Sequence, residues 1–197
     1  MRRNQCQVTD SAEIRRVLES TNIGRMATIG ADGYPYVTPV NFVLFRGCIY
    51  FHCALKGEKL DNIQRDSRVC FEVDVPLAYL DMGFDPSRPT CHLHQFYHCI
   101  IIRGTASLVE DVSLKLDALN ALIRKHEPAT TFVPVAEETP QVKACEVVEI
   151  QPEIITAKSD LAQGKGEEVR MRIARYFADR GLPGDTETVE AMGVLPE

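Results

Sequence analysis

Three stretches between residues 23 and 53 alternate apolar with polar side chains, and the connections between them are too short for a crossover. The first is 23–29. In 34–45, Tyr34, Tyr36, Val40, Phe42 and Leu44 alternate with Pro35, Pro39 and Asn41. In 48–53, Ile49 and Phe51 mark one face, and Tyr50 and His52 the other. A period of two is the signature of strands. The joins are Gly30-Ala31-Asp32-Gly33 and Arg46-Gly47, whereas a parallel pair needs a dozen or more residues at each connection. The segment must therefore be antiparallel, and the sequence predicts a hairpin with an Asp-Gly turn, extended into a three-strand meander.

The rest of the chain adds helices and strands without a repeating βαβ unit. Asp10 and Glu13 form a capping box before a helix over 11–20. A short helix is predicted over 57–66 from Leu60 and Ile63, and a strand over 68–75 from Val69, Phe71 and Val73. Residues 76–90 have three prolines, a glycine and no period, and are expected to form a long loop. A long strand, 94–109, surrounds Cys99-Ile100-Ile101-Ile102, with Gly104 as a bend or bulge. Val112, Leu116, Leu119, Leu122 and Ile123 give an amphipathic helix over 111–126, and 144–157 supplies a last strand. This order favours a mainly antiparallel α+β or barrel domain over a parallel dinucleotide-binding sheet. From Ser159 the composition changes. Gly164-Lys165-Gly166 reads as a linker and 167–180 as a charged helix with Val169, Ile173, Tyr176 and Phe177 as its stripe. The expected division is a domain at 1–158 and a helical extension at 159–197.

Charge and cysteine usage exclude several classes. Acidic residues outnumber basic ones 28 to 22, a net charge of −6, opposite in sign to a nucleic-acid footprint. No apolar run reaches the roughly 20 residues of a membrane helix, and no apolar signal core follows the first residues. The expectation is a cytoplasmic protein without nucleic-acid or membrane partners. Its seven cysteines are odd in number, never spaced C-x-x-C, and read as buried reduced thiols. His92, His94 and His98 would share one face of a strand and Cys91 and Cys99 the other, so this cluster reads as ordinary polar residues and not as a metal site.

No G-x-G-x-x-G, P-loop, G-x-S-x-G or H-E-x-x-H motif occurs. The segment Tyr50-Phe51-His52-Cys53-Ala54-Leu55-Lys56-Gly57-Glu58-Lys59-Leu60 carries more information. It leaves a strand, passes a glycine and opens a helix with Lys56 and Lys59 at its start, where cations oppose the helix dipole. A bound phosphate would reverse that conflict by accepting the free amide N–H groups and pairing with ammonium. The alternative is a solvated turn compensated by Glu58 and Asp61.

Taken in order, five stretches resemble the FMN-binding split-barrel family related to pyridoxamine 5'-phosphate oxidase, nearest the nitroimidazole-resistance (Nim-like) flavoproteins. They are Gly24-Arg25-Met26-Ala27-Thr28, Tyr36-Val37-Thr38-Pro39-Val40-Asn41-Phe42, Ile49-Tyr50-Phe51-His52 with Gly57-Glu58-Lys59-Leu60-Asp61-Asn62, Arg68-Val69-Cys70-Phe71-Glu72-Val73, and Tyr97-His98-Cys99-Ile100-Ile101-Ile102-Arg103-Gly104. The resemblance implies an antiparallel split β-barrel with peripheral helices, and a homodimer with two FMN molecules at its interface. It implies that Pro39, Val40, Asn41 and Phe42 run along the flavin ring through their backbone groups. His52, Cys53, Ala54, Lys56, Gly57 and Lys59 would hold the ribityl phosphate, and a second subunit's strand ending at Arg103 would close the site. The implied activity is FMN-dependent reduction of a small electron acceptor such as a nitroaromatic, with His52 as the catalytic candidate. A non-catalytic flavin-binding module, or a split barrel using haem or deazaflavin, are the alternatives. Two features depart from the family. The chain has no tryptophan near Leu93, and the C-terminal arginine and histidine pattern of the true oxidase is not recognisable, which argues against vitamin B6 oxidation.

Overall fold

The computed structural model of the chain describes residues 3–87, 89–129 and 131–194. In chain order its elements are β1 (Gln7–Val8), α1 (Ser11–Ser20), β2 (Ile23–Ile29), β3 (Pro35–Asn41), β4 (Val43–Phe45), β5 (Cys48–Cys53), α2 (Glu58–Arg65), β6 (Arg68–Leu80), β7 (His94–Leu108), α3 (Val112–His126), β8 (Glu146–Asp160), α4 (Glu167–Arg180) and α5 (Asp185–Met192). The strands form one sheet in the order β3-β2-β6-β7-β8-β5-β4, with β1 against β8. No helix among the described residues is long and apolar enough to cross a membrane.

The residues group into two compact units, one of Ser11–Val73 and Ile100–Thr156, the other of the described residues in Met1–Asp10, Asp74–Cys99 and Ala157–Glu197. In the first unit β2 and β3 pair from Ile23↔Asn41 to Ile29↔Pro35. The Gly30 N–H donates to the Tyr34 carbonyl at 2.7 Å and the Tyr34 N–H to Asp32 Oδ1 at 3.0 Å, with Gly33 at φ +84°, the left-handed geometry that favours glycine.

The expected meander is corrected at Phe42. There the strand predicted over 34–45 breaks, and β3 and β4 lie at opposite ends of the sheet order, each in its own hairpin. Phe42 is fully buried and meets Phe71 edge to face at 5.0 Å. Phe71 in turn fills the space over Gly24, where an added Cβ would stand 2.0 Å from its ring. Burying each ring stabilises the fold by about 1.5–3 kcal/mol, and the alternation fails between Phe42 and Val43, consecutive residues that are both buried.

The predicted loop over 76–90 is also corrected. β6 continues through Pro76 to Leu80, and single 3-10 turns follow at Met82–Phe84 and Thr90–His92. β2 pairs with β6 only at residues 70–72, so on that side no ladder bond is asked of Pro76, which lacks an N–H. Gly104 is explained by close approach: a Cβ there would meet the Gln151 carbonyl oxygen at 2.0 Å. Asp111 caps α3 by accepting from the Leu114 N–H at 2.6 Å.

The second unit packs α4 and α5 around Leu80, Phe96, Ile173, Phe177 and Met192. The predicted bounds of α4 match the structure. α5, absent from the sequence reading, is locked by a fully buried carboxylate, Asp185, which takes a bidentate pair from Arg180 at 3.0 and 2.6 Å and the Leu182 N–H at 2.8 Å. Burial opposes ionisation of Asp185, but these bonds and the guanidinium charge outweigh it and hold its pKa below the usual range.

Candidate functional site

Alternation along β3 sorts the predicted flavin-contacting residues into two sets. Pro39 and Asn41 are exposed, whereas Val40 and Phe42 are buried and can offer a ligand only backbone groups. On β5, Phe51 is buried in the core and His52 points out, exposed. Cys53 and Lys59 are partly buried, and Ala54, Lys56 and Gly57 are exposed. α2 begins at Glu58, so Lys59 lies in its first turn and Lys56 precedes it. Gly57 at φ +149° starts the helix without a side-chain cap, its carbonyl taking the Leu60 N–H at 2.8 Å. The first amides of α2 thus have no side-chain acceptor at that position, the condition under which a helix start receives an anion.

Asn41 and His52 line one cleft of about 610 Å³, within the range of small-molecule sites. Leu119, Leu122, Ile123 and His126 of α3 form one wall, and Val135, Val142 and Cys145 another. His126 is a site residue that the sequence reading missed. Burial, the Lys125 ammonium and His52 all push its pKa down, against a hydrogen bond to the Phe42 carbonyl, and its Nε2 is buried with no hydrogen-bond partner. The available signal was spacing: Leu119, Leu122 and His126 recur at helical intervals. Lys125 turns the other way. Its Nζ stands 3.6 Å from the Phe42 ring centroid and donates to the Leu18 carbonyl at 3.0 Å. Burial lowers its pKa to about 8.

Cys53 connects the helix start to this cleft. Burial pushes its thiol pKa up, the Lys59 charge opposes this, and Glu146 and Cys145 add to the rise, so Lys59, Cys53 and the cleft residue Cys145 are electrostatic neighbours. Arg103 is not among them. It borders a separate depression with Ile29, Pro35, Arg68 and Ile154.

The histidine and cysteine expectations are revised in part. His92 lies in a 3-10 turn and not in the strand. His98 Nδ1 is 2.6 Å from Ser159 Oγ and His94 Nε2 is 3.2 Å from Asp160 Oδ1. All seven cysteines are free thiols, but only Cys6 is buried, and Cys91 is exposed.

The fold is an antiparallel split barrel with peripheral helices, and it carries an uncapped helix start after a strand that turns His52 outward. The chain belongs to the pyridoxamine 5'-phosphate oxidase family, whose model matches residues 10–159. No curated protein matches it. Among solved structures it is similar to a candidate 5-nitroimidazole antibiotic resistance protein from Bacteroides thetaiotaomicron, at 21% identity and TM-score 0.65 over 78% of this chain and 86% of that one. It is also similar to the FAD and heme binding protein from Mycobacterium smegmatis, at 15% identity and TM-score 0.69 over 84% and 78%. A flavocytochrome from Azotobacter vinelandii shows 17% identity and TM-score 0.66 over 79% and 69%. At these identities the likenesses establish the fold.

Proposed function

We propose that the protein is an FMN-dependent oxidoreductase that reduces a small acceptor such as a nitroaromatic. The observation that carries this reading is the uncapped start of α2 with Lys59 in its first turn, adjoining through Cys53 and Cys145 a largely apolar cleft that exposes Asn41 and His52. Family membership and the flavin named for two structural neighbours support it. The amides of Gly57 to Lys59, with the Lys59 ammonium and Lys56 beyond it, would hold the phosphate, and the exposed edge of β3 at Pro39 and Asn41 would offer backbone groups to the ring. Bound there, the flavin would supply the electron transfer. The apolar walls of α3 would exclude water, and the His52 imidazole would hydrogen-bond a ligand in the cleft and give it a proton over a hydrogen-bond distance.

In the homodimer we infer, a second copy would bring its Arg103 strand to this cleft. The outward face of the β2–β3 hairpin supports that contact, with Ile23 51%, Ile29 38% and Val37 56% exposed, alongside Ile101 at 39%.

The test begins with the absorption spectrum of freshly purified protein, where flavin bands are expected. A charge-assisted contact contributes about 1.5–3 kcal/mol. Lys59→Ala should therefore weaken FMN about tenfold or more and riboflavin, which lacks the phosphate, far less. In the same assay His52→Gln should retain FMN and slow its reoxidation by a nitroaromatic. Equal losses of FMN and riboflavin would remove the phosphate assignment. Unchanged reoxidation would return His52 to a structural role.

A further inference from the structure

The cleft beside His52 lies wholly within the first unit, and the wall that faces α3 hangs on one side chain. Between α3 and the 3-10 helix at Pro140–Ala144 the described residues form neither helix nor strand. Val135 and Thr139 of this segment line the cleft, whereas Val133, two residues earlier, is 90% exposed. Beyond Val135 the segment braces itself. The Ala136 N–H donates to Thr139 Oγ1 at 3.1 Å, and the Thr139 N–H to the Ala136 carbonyl at 3.0 Å.

What sets the distance of this wall from α3 is Asn120. Its Nδ2 donates to the Val135 carbonyl at 3.0 Å, and its Oδ1 accepts from the Val135 N–H at 2.8 Å. The pair copies the two-way exchange of an antiparallel ladder, with a side-chain amide in place of a strand. The second Nδ2 hydrogen goes to the Leu116 carbonyl one turn back, at 3.0 Å. Both donors of the amide and its oxygen are therefore engaged. Among the described residues, Asn120 supplies the hydrogen bonds between α3 and 128–139. The helix itself is anchored by Ala118, Ala121 and Leu122, which are buried against Val43, Tyr50 and Val147.

The two walls offer real surface. Leu119, Ile123 and Val135 are each partly exposed and line the cleft. No lysine or arginine is among the lining residues, and the one carboxylate is Glu127, exposed. Burial and the Lys125 charge hold the His126 pKa below its ordinary value. An anion entering here would lose hydration and gain no cation in exchange.

We propose that Asn120 is the positioning residue that sets the width of this cleft, and that the cleft so held takes a flat, uncharged aromatic ring between Val135 and the Leu119–Ile123 face. That the ring is an electron acceptor rests on the oxidoreductase reading, whereas its binding does not. A substituent thick out of the ring plane meets a wall that Asn120 keeps from retreating.

Ligand-observed NMR titration of the full chain at pH 8 reads binding without turnover, with nitrobenzene, 4-nitrobenzoate and 4-tert-butylnitrobenzene as probes. Nitrobenzene should bind about fivefold tighter than either of the others, or more. Asn120→Leu, which keeps volume and suits a helix, should weaken nitrobenzene about three- to tenfold and bring the tert-butyl compound to about the same affinity. Val135→Ala trims the wall but keeps both backbone bonds, and should also admit the tert-butyl compound. Because both act on one wall, the double variant should shift that ratio no further than Asn120→Leu alone. Asn120→Asp can still accept from the Val135 N–H but cannot donate to its carbonyl. It should give an intermediate ratio, and it decides the matter if Asn120→Leu does not fold. In turnover, KM for nitrobenzene should rise in the Asn120 variants with kcat and FMN affinity held. No binding of nitrobenzene, equal binding of 4-nitrobenzoate, or an unchanged size ratio in the Asn120 variants would overturn the proposal. A fall in kcat and FMN affinity in parallel with KM would overturn it too, making Asn120 merely structural. Protein that binds the probes as expected but carries no flavin would remove the oxidoreductase reading and leave the cleft assignment standing.

Discussion

At the residue scale the least conventional group is Lys125, whose ammonium lies over the Phe42 ring in a partly buried position. Its pKa falls from 10.5 to about 8 because burial penalises the charged form. Between those two values the unfolded chain still holds the proton that the folded chain has lost, so stability rises with pH across that window, by up to about 1.4 kcal/mol per pH unit. Below pH 8 both states are protonated and the dependence disappears. Urea unfolding at pH 7, 8, 9 and 10 should show this rise in the parent and its loss in Lys125→Met, which keeps the packing on Phe42. Parallel curves for the two proteins would mean that the ring and the Leu18 carbonyl stabilise the cation enough to cancel its desolvation. His126 shows why such groups escape a reading of sequence. Its spacing from Leu119 and Leu122 was visible, but its bond to the Phe42 carbonyl depends on a break in β3 that no periodicity announces.

At the scale of elements, Gly104 marks a close approach of β7 to the backbone of β8. The Gln151 oxygen that a Cβ would strike is backbone, which cannot rotate aside as a side chain would. Gly104→Ala should therefore cost about 1–3 kcal/mol through forced strand displacement, a fall in melting temperature of about 2–12 °C for a chain of this size. Calorimetry showing no loss would mean that the strands separate freely there. The sequence flagged this glycine as a bend, and the structure replaces that with a contact between neighbouring strands. The bounds of α1, β2, β5 and α4 were legible because each has a clean period and strong end signals. β6 runs past its expected end because the prolines and missing period of 76–90 pointed to a loop, whereas a proline's tolerance in a strand depends on whether a neighbouring strand needs its N–H. α5 was missed because its stability comes from the buried Arg180–Asp185 pair and not from an apolar stripe of its own.

At the scale of the whole molecule, the exposed Ile29 and Val37 belong to one outward hairpin face, and surface of that kind is characteristic of interaction sites. Sedimentation velocity should give a dimer, and Val37→Asp should shift it toward monomer with parallel loss of bound flavin. A monomeric parent with full flavin occupancy would overturn the dimer. The candidate site was half readable from sequence. The α2 start follows from local chemistry, whereas its partners on α3 and at 135–145 are brought in by tertiary packing.

The separation of the two N-terminal hairpins in the sheet has a consequence during synthesis. β4 and β5 can pair as soon as they emerge, but the other edge of β5 waits for Val147 to Ile150 of β8. That partner is about 100 residues downstream, or about 5–20 s of translation at roughly 5–20 residues per second. Throughout that interval Ile49, Tyr50 and Phe51 stand on an open strand edge, the kind of surface that recruits other chains. The strand that carries His52 is thus an open edge for as long as β8 is unmade.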